Sequence, residues 1–357
     1  MRYAYYPGCY AKGTAPELDS STRAVCERLG IELEELTAAP CCGAGDVQQV
    51  DGPLAQGLNE LTLAQAQHLG LDILTICNVC TLSLRQANVA VEEGRHLDRG
   101  SACLAVADPG CPASADGASD SAPTVLPGGA TEDPPPAGAA ATGGPVPPGF
   151  GQRWPLSGAE AAAATTAALA PEGLAYAGGV AVTHLLWVLW KDVGVERLAE
   201  QVQQRLGSLT LAPFYGCQIL RPAAVNDDDV ADDPTALEDL VAACGAAAVD
   251  YDGRLKCCGW PVMYVRQSAA TTMAARVVRN AAAAGADAIV TPCPLCHAAL
   301  EGCQSASATG SERLRLPVLH LPQMIGLALG CSPRRLGLVD HAIDTRPLLA
   351  RLGLTLA

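Results

Sequence analysis

Two pairs of adjacent cysteines, each followed by glycine, are the residues of this chain with the clearest potential for chemistry. They are Cys41-Cys42-Gly43 and Cys257-Cys258-Gly259. A single cysteine precedes each pair, and a Cys-x-x-Cys follows it after 34 intervening residues in both cases. Ten of the sixteen cysteines therefore form two sets in one repeated register. The sets are Cys9, Cys41, Cys42, Cys77 and Cys80, and Cys217, Cys257, Cys258, Cys293 and Cys296.

Five thiols in a set favour a multinuclear iron–sulfur cluster over a single metal ion. A structural zinc ion takes four ligands, so zinc would leave one thiol of each set unused, and that alternative stays open. A redox-active dithiol at the Cys-x-x-Cys would leave the other cysteines of the register unexplained. The Cys-x-x-Cys-x-x-Cys run of ferredoxins is absent, so ordinary cubane clusters of that class are not expected.

Length, composition and charge restrict the classes of function. With 357 residues, 49% of them hydrophobic, the chain can bury one large core or two modest ones. The formal charge of −14 argues against a nucleic-acid partner, because phosphate binding needs a basic face. The N-terminal residues lack the apolar region of a signal peptide, and no run of about 18 apolar residues predicts a transmembrane span. We therefore expect a cytoplasmic protein whose cysteines bind metal or do redox chemistry rather than form structural disulfides.

The elements around the cysteines predict an α/β fold that is built twice. In each half, strand-like runs lead into the single cysteine, the Cys-Cys-Gly and the Cys-x-x-Cys. The carboxyl ends of parallel strands share one edge of a sheet, so these cysteines would converge there. Each Cys-x-x-Cys begins a helix, whose first amide groups stabilise thiolate. The predicted strands include 31–36, 72–76, 179–183 and 286–291. The predicted helices include 53–69, 184–193 and 268–284. In helix 53–69, Leu54, Leu58 and Leu61 recur at helical spacing and predict one apolar face.

Composition divides the chain into three parts. Residues 1–107 and 157–357 each contain one cysteine set and are predicted to be two pseudo-symmetric α/β domains, the second with a C-terminal extension. Residues 108–156 are rich in Pro, Ala and Gly and lack large apolar side chains, so we predict a disordered linker. Cys111 lies in this segment and is not expected to be a ligand, because a flexible thiol cannot hold the geometry of a cluster.

The cysteine pattern resembles that of the CCG cysteine-rich domain family, with two CCG motifs, and more closely that of heterodisulfide reductase B subunits. The similarity covers most of the chain outside the predicted linker. It is clearest in residues 5–9, 77–82, 215–222 and 317–320.

The resemblance implies an oxidoreductase subunit that acts with iron–sulfur and flavoprotein partners. Each five-cysteine set, as given above, would hold one noncubane [4Fe-4S] cluster, and electrons would pass between the clusters and a small disulfide or thiol substrate. Other relatives are subunits of succinate or fumarate dehydrogenase-type complexes, and in some of them one motif binds zinc. The alternative is therefore an electron-transfer or membrane-docking subunit. It would hold one [4Fe-4S] cluster and one zinc ion and would lie at the inner face of a membrane as a peripheral protein.

Residues outside the register have weaker predicted roles. His184 and His297 are candidates to donate a hydrogen bond or a proton near a cluster, and Trp187 and Trp190 are expected to pack in the core or at a subunit contact. The apolar segment 321–329 could dock on a membrane. Four basic residues near cluster cysteines could offset negative charge or lie on the solvated surface: Arg85, Arg221, Lys256 and Arg266. The remaining cysteines are predicted to be small core residues: Cys26, Cys103, Cys244, Cys303 and Cys331.

Overall fold

The structure, a computed structural model, describes residues 1–92, 169, 173–306 and 315–356. They form two parallel four-stranded sheets with helices packed against them, which confirms the predicted α/β class. The first sheet has the order β2-β1-β3-β4, and its strands are β1 (Arg2–Tyr6), β2 (Glu32–Glu35), β3 (Ile73–Thr75) and β4 (Val182–His184). The second has the order β6-β5-β7-β8, and its strands are β5 (Thr210–Pro213), β6 (Ala247–Ala248), β7 (Ala288–Thr291) and β8 (Val318–His320).

Helices connect the strands in the same succession in both halves. Around the first sheet lie α1 (Gly8–Gly13), α2 (Pro16–Leu29), α3 (Asp46–Val50), α4 (Gly52–Leu69) and α5 (Asn78–Glu92). After β4 come α6 (Leu185–Trp187), a π-helix (Val188–Gly194) and α7 (Val195–Glu200). Around the second sheet lie α8 (Ala236–Ala243), a 3₁₀ turn (Trp260–Val262), α9 (Gln267–Ala283), α10 (Pro294–Ala306), α11 (Leu321–Ala328) and α12 (Arg346–Arg351).

Local sequence accounts for the ends of α4. Asp51 precedes the helix, and its carboxylate accepts a hydrogen bond from the Leu54 amide at 3.0 Å. Pro53 occupies the first turn, where a missing amide hydrogen costs nothing. Gly70 ends the helix in the left-handed conformation (φ +65°), which glycine adopts without strain. These bounds agree with the predicted helix 53–69 to within one residue.

The buried face of α4 differs from the predicted one. Leu54 is 48% exposed, although its spacing with Leu58 and Leu61 predicts a shared apolar face. The buried face carries the polar side chains of Gln56 and Asn59 among small residues. Hydrogen bonds to distant parts of the chain determine which face of α4 is buried. The spacing of apolar residues does not predict such bonds.

The fourth strand of the first sheet comes from beyond the predicted linker. β4 pairs in parallel with β3, with Thr75 opposite His184, and β8 pairs with β7 in the same way, with Thr291 opposite His320. The division at residue 157 stays a prediction, but a strand that follows it completes the first sheet. The predicted linker 108–156, Cys103 and Cys111 lie outside the described residues.

The largest core cluster joins the two halves of the molecule. It combines side chains of α2 with those of α6, α8 and α11, so the sheets share a hydrophobic core. All eight residues of α11 are buried, and that helix packs against α2. The expectation that segment 321–329 docks on a membrane is therefore wrong, because its apolar surface is already covered. Within the described ranges, no helix combines the length and hydropathy needed to cross a membrane.

Candidate metal centre

The first five-cysteine set collects at the carboxyl ends of β1, β2 and β3. Cys9 lies in the first turn of α1, the Cys41-Cys42 doublet lies in the loop after β2, and Cys77 comes two residues after the end of β3. Cys80 lies on α5, which begins immediately after Cys77. The sulfur atoms of Cys9 and Cys41 are 3.5 Å apart, and so are those of Cys42 and Cys80.

The second set repeats this arrangement at the ends of β5, β6 and β7. The thiol of Cys217 lies beside that of Cys257, and the thiol of Cys258 beside that of Cys296, near enough for the partners to shift each other's pKa. These are the counterparts of the two contacts in the first set. Cys293 comes two residues after the end of β7, and α10 begins at the next residue. The sequence prediction that strand ends bring each set together agrees with this geometry.

The two sets meet through the cysteines that precede the helices. Cys77 and Cys293 lie near enough for each thiol to shift the pKa of the other, although 215 residues separate them in the sequence. The side-chain amide of Asn78 donates to the backbone oxygen of Tyr215 at 2.9 Å, across the same junction. The two sets therefore adjoin each other and are not distant sites.

The doublets contain one activated thiol each. Hydrogen bonds from the Cys42 thiol and the Gly43 amide hold the pKa of the Cys41 thiol well below its ordinary value. In the second set, the thiol of Cys217 and the amide that follows the doublet lower the pKa of Cys257 in the same way. The second cysteine of each doublet has a raised pKa, because the adjacent thiolate disfavours a second negative charge. Thiolate is the form that binds metal.

Two glycines allow the backbone to approach the cysteines closely. A Cβ atom on Gly8 would lie 3.0 Å from the sulfur of Cys80, and one on Gly216 would lie 2.9 Å from the sulfur of Cys296. Both glycines also have φ values in the left-handed region, +77° and +74°. Any larger residue would displace a thiol of the set.

A pocket opens over the second set and the junction between the sets. It encloses about 310 Å³, part of it open to solvent, and all five cysteines of the second set line it. The other lining residues are Asn78, Val79, Gln218, Trp260, Pro261 and Leu295. Because Asn78 and Val79 belong to the first Cys-x-x-Cys, residues from both repeats form its wall. Trp260 also packs edge-to-face on Tyr10 of the first repeat, with ring centroids 5.6 Å apart.

The donor set fits a sulfur-ligated cofactor larger than one ion. Each set offers five thiols held by short contacts, side chains are missing at the glycines where a bulky inorganic core would need space, and a pocket adjoins the second set. A four-coordinate zinc ion accounts for only four of the five thiols. The same residues would therefore hold the cofactor that the sequence predicts.

Comparison with known proteins agrees with this geometry. The family model for the CCG cysteine-rich domain matches residues 3–85 and 211–301. The chain is also 32% identical to the 8-methylmenaquinol:fumarate reductase membrane anchor subunit of Wolinella succinogenes, over 97% of this chain and 98% of that subunit. The chain belongs to the CCG cysteine-rich domain family.

Further relatives of this CCG protein confirm the predicted resemblance. It is 26% identical to the B subunit of the ferredoxin/F(420)H(2)-dependent CoB-CoM heterodisulfide reductase of Methanosarcina acetivorans, over 98% of this chain and 97% of that subunit. It is 27% identical to an Archaeoglobus profundus protein described as like the heterodisulfide reductase B subunit, over 94% and 93% of the two chains. The solved structure of a hypothetical protein from Helicobacter pylori matches 95% of this chain with a TM-score of 0.62. At 14% identity that match shows the fold alone, and the CCG protein spans 51% of that chain.

The two candidate histidines of the CCG protein are buried and lie outside the pocket wall. His184 ends β4, and its Nδ1 accepts a hydrogen bond from the Leu186 amide at 3.0 Å. Burial lowers its pKa to about 4, and Cys293 lies near enough to oppose this shift. His297 follows Cys296 on α10, and burial lowers its pKa well below the ordinary value. Their participation in proton transfer stays a prediction.

Three other predictions have clear structural outcomes. Arg85 forms a largely buried ion pair with Asp228, whereas Arg221 and Lys256 pair with aspartates on the surface and Arg266 is exposed. Trp187 is fully buried and Trp190 packs against the same core. The non-register cysteines that the structure describes are buried as predicted: Cys26, Cys244, Cys303 and Cys331.

Two residues of the CCG protein that support the site are absent from the sequence predictions. Asn78 links the repeats as described, and Asn59 on α4 donates to the backbone oxygen of Cys42 at 2.8 Å. Asn59 is 1% exposed. A polar residue among small and apolar ones in the middle of a helix was the only indication of its role in the sequence.

Proposed function

We propose that this chain is an iron–sulfur subunit of an oxidoreductase complex of the heterodisulfide reductase type. In this proposal each five-cysteine set binds one noncubane [4Fe-4S] cluster. The observation that carries the proposal is the single pocket that residues of both Cys-x-x-Cys motifs line, with Asn78 and Val79 from the first repeat and Cys293 and Cys296 from the second. The heterodisulfide reductase B subunits among its relatives support the same assignment.

The reaction of this class converts a disulfide into two thiols, with the addition of two electrons and two protons. When bound, the clusters supply the electrons one at a time. The protein supplies the pocket, and Trp260, Pro261 and Leu295 give part of its wall an apolar surface. Two sites in contact suit a two-electron reaction, because each can deliver one electron to the same substrate.

Asn78 is the residue that we assign to substrate orientation. Its Nδ2 is used by the Tyr215 backbone oxygen, whereas its Oδ1 is buried and has no hydrogen-bond partner among the described residues. A buried acceptor without a partner is costly. A substrate thiol that donates a hydrogen bond to Oδ1 would satisfy it.

The test is anaerobic purification followed by iron, sulfide and zinc analysis. Two full clusters require about eight irons per chain. Cys258→Ala should remove the visible absorption of the second cluster and leave that of the first, whereas Cys244→Ala, a buried cysteine outside the register, should keep both. Loss of both clusters in Cys258→Ala would contradict two separately bound clusters, and a protein without iron would overturn the proposal.

A second candidate function is an electron-transfer or membrane-docking subunit of a fumarate or succinate dehydrogenase-type complex. The 32% identity to a fumarate reductase membrane anchor subunit favours it. In that case one motif could hold zinc, and analysis would give about four irons and one sulfur-bound zinc. Co-purification of a flavoprotein with fumarate-dependent activity would support this candidate. Disulfide-dependent oxidation of a reduced viologen by the purified complex would support the first.

A further inference from the structure

Three of the six histidines lie together in the interior with two carboxylates. His297 and Glu301 are one turn apart on α10, His320 ends β8, and His341 lies in the segment before α12. Glu17 comes from α2 of the first repeat. The ring of His297 stacks on that of His320 at 3.9 Å and meets that of His341 edge-on at 5.0 Å. We call these five residues the histidine cluster.

The two carboxylates of the histidine cluster are buried without a permanent positive charge beside them. Glu17 is 8% exposed and Glu301 is 4% exposed. The ion-pair partners that the described residues offer them are imidazoles alone: His320 for Glu17, and His297 and His341 for Glu301. Buried carboxylates are ordinarily paired with a cation or coordinate a metal.

The imidazole of His297 presents an unused nitrogen to this group. Its Nε2 is buried, has no hydrogen-bond partner among the described residues and lies 3.9 Å from the Oε1 atom of Glu301. Its ring also hydrogen-bonds to the backbone of Val318. Such a bond to one nitrogen holds the ring and leaves the other nitrogen as a lone pair, which is the arrangement of metal-binding histidines.

The neighbours of His297 have the same kind of support. His341 Nδ1 lies 2.9 Å from Glu301 Oε1, and the side-chain amide of Gln323 lies against His341 Nε2, with its nitrogen at 2.8 Å and its oxygen at 3.0 Å. The other carboxylate oxygen of Glu301 accepts a hydrogen bond from the Ala342 amide at 3.0 Å. One ligand atom from each of His297, Glu301 and His341 lies within 4.8 Å of the other two. Three ligands and their orienting partners are therefore in place.

We propose that the histidine cluster binds one zinc ion through His297, Glu301 and His341, with the Glu17–His320 pair on the fourth side. Two imidazoles and a carboxylate are a ligand set for zinc rather than for calcium or magnesium, which prefer oxygen alone. The carboxylate of Glu301 offsets part of the charge of a divalent ion. Because Glu17 belongs to the first repeat and the ligands follow the second cysteine set, the ion would fasten the repeats together behind Cys296. This site is independent of the proposed function.

Zinc counting and zinc-edge X-ray absorption on the anaerobically purified full chain test the proposal. We expect about one zinc per chain, coordinated by nitrogen and oxygen at about 2.0–2.1 Å. Coordination by sulfur at about 2.3 Å would put the zinc on the cysteines and overturn the histidine site, as would the absence of zinc. The iron count, which tests the proposed function, is a separate measurement on the same sample.

Matched variants identify the ligands. Glu301→Gln and His341→Gln should each lower nitrogen- and oxygen-bound zinc at least tenfold, while iron content and visible absorption persist. Glu60→Gln, which changes another buried carboxylate, and His184→Gln, which changes a histidine at the equivalent strand end of the first repeat, should retain zinc. Retention of zinc in Glu301→Gln would overturn the proposal. If the ligand variants do not fold, the X-ray absorption spectrum of the wild type decides alone.

Discussion

At the scale of single residues, the site depends on glycines that have no side chain as much as on the thiols. Gly216 has a positive φ and faces the sulfur of Cys296, so two separate costs would follow from a side chain there. The strain of a positive φ is about 1 kcal/mol for alanine. The contact with the sulfur adds to this cost and acts on the cluster itself.

We therefore predict that Gly216→Ala lowers the iron content of the second site. Gly285→Ala is the matched control, because Gly285 also has a positive φ (+83°) but a Cβ there would meet nothing within 4 Å. Both variants should melt at lower temperature than the wild type, and only Gly216→Ala should lose visible absorption. Equal iron content in the two variants would show that the approach of Gly216 to Cys296 does not matter.

Asn59 holds the backbone of the first cysteine doublet. Its amide group bonds to the backbone oxygen of Cys42, and the loss of such a buried hydrogen bond leaves an unsatisfied acceptor at a cost of about 1–3 kcal/mol. We predict that Asn59→Ala loosens the first doublet and lowers iron at the first site, with the second site intact. Iron analysis and visible absorption measure this effect. His68→Ala, on the exposed face of the same helix, should match the wild type.

At the scale of elements, β4 and β8 each end in a histidine. His184 and His320 occupy equivalent positions beside Thr75 and Thr291, and both are buried. The apparent pKa of His184 falls from about 6.5 in an unfolded chain to about 4, because burial disfavours the charged ring. The unfolded chain therefore binds a proton more readily between these two values. His184 therefore costs no stability above about pH 6.5, and the free energy of unfolding decreases as the pH falls from about 6.5 to about 4.

This shift predicts a difference between wild type and His184→Gln. At pH 5 the wild type should have lost about 2 kcal/mol through His184, relative to pH 7.5, and the variant should not show that part of the loss. Anaerobic thermal melts of both proteins at the two pH values measure it. The same slope in the two proteins would mean that His184 does not stay neutral in the folded state.

The elements also show how far the sequence could go. The strand ends, the helix that starts at each Cys-x-x-Cys and the stop at Gly70 follow from local rules, so the sequence predicts them. The orientation of α4 does not, because Gln56 and Asn59 are buried by hydrogen bonds to distant backbone. The histidine cluster was also beyond sequence reasoning, since its residues come from separate stretches of the chain and only tertiary packing joins them.

At the scale of the whole molecule, the two repeats are fastened by polar links as well as by the shared core. Arg85 on α5 donates to the backbone oxygen of Val182 in β4 and to the side chain of Asn226 beyond β5, and it pairs with Asp228. Both side chains of the ion pair are only 14% exposed. The guanidinium of Arg85 thus connects α5, β4 and the segment after β5 that contains Asn226 and Asp228.

We predict that Arg85→Leu destabilises the protein by about 3 kcal/mol, because it leaves a largely buried carboxylate without its main partner. Lys191 still lies 3.0 Å from Asp228, which keeps the loss at the lower end of the range for such pairs. Arg346→Leu removes an arginine from a fully solvated pair with Asp344 and should leave the melting temperature unchanged. If Arg85 fastens the repeats, Arg85→Leu should also speed proteolysis between them under anaerobic conditions, whereas Arg346→Leu should not. Equal melting of the two variants would assign the junction to the apolar core alone.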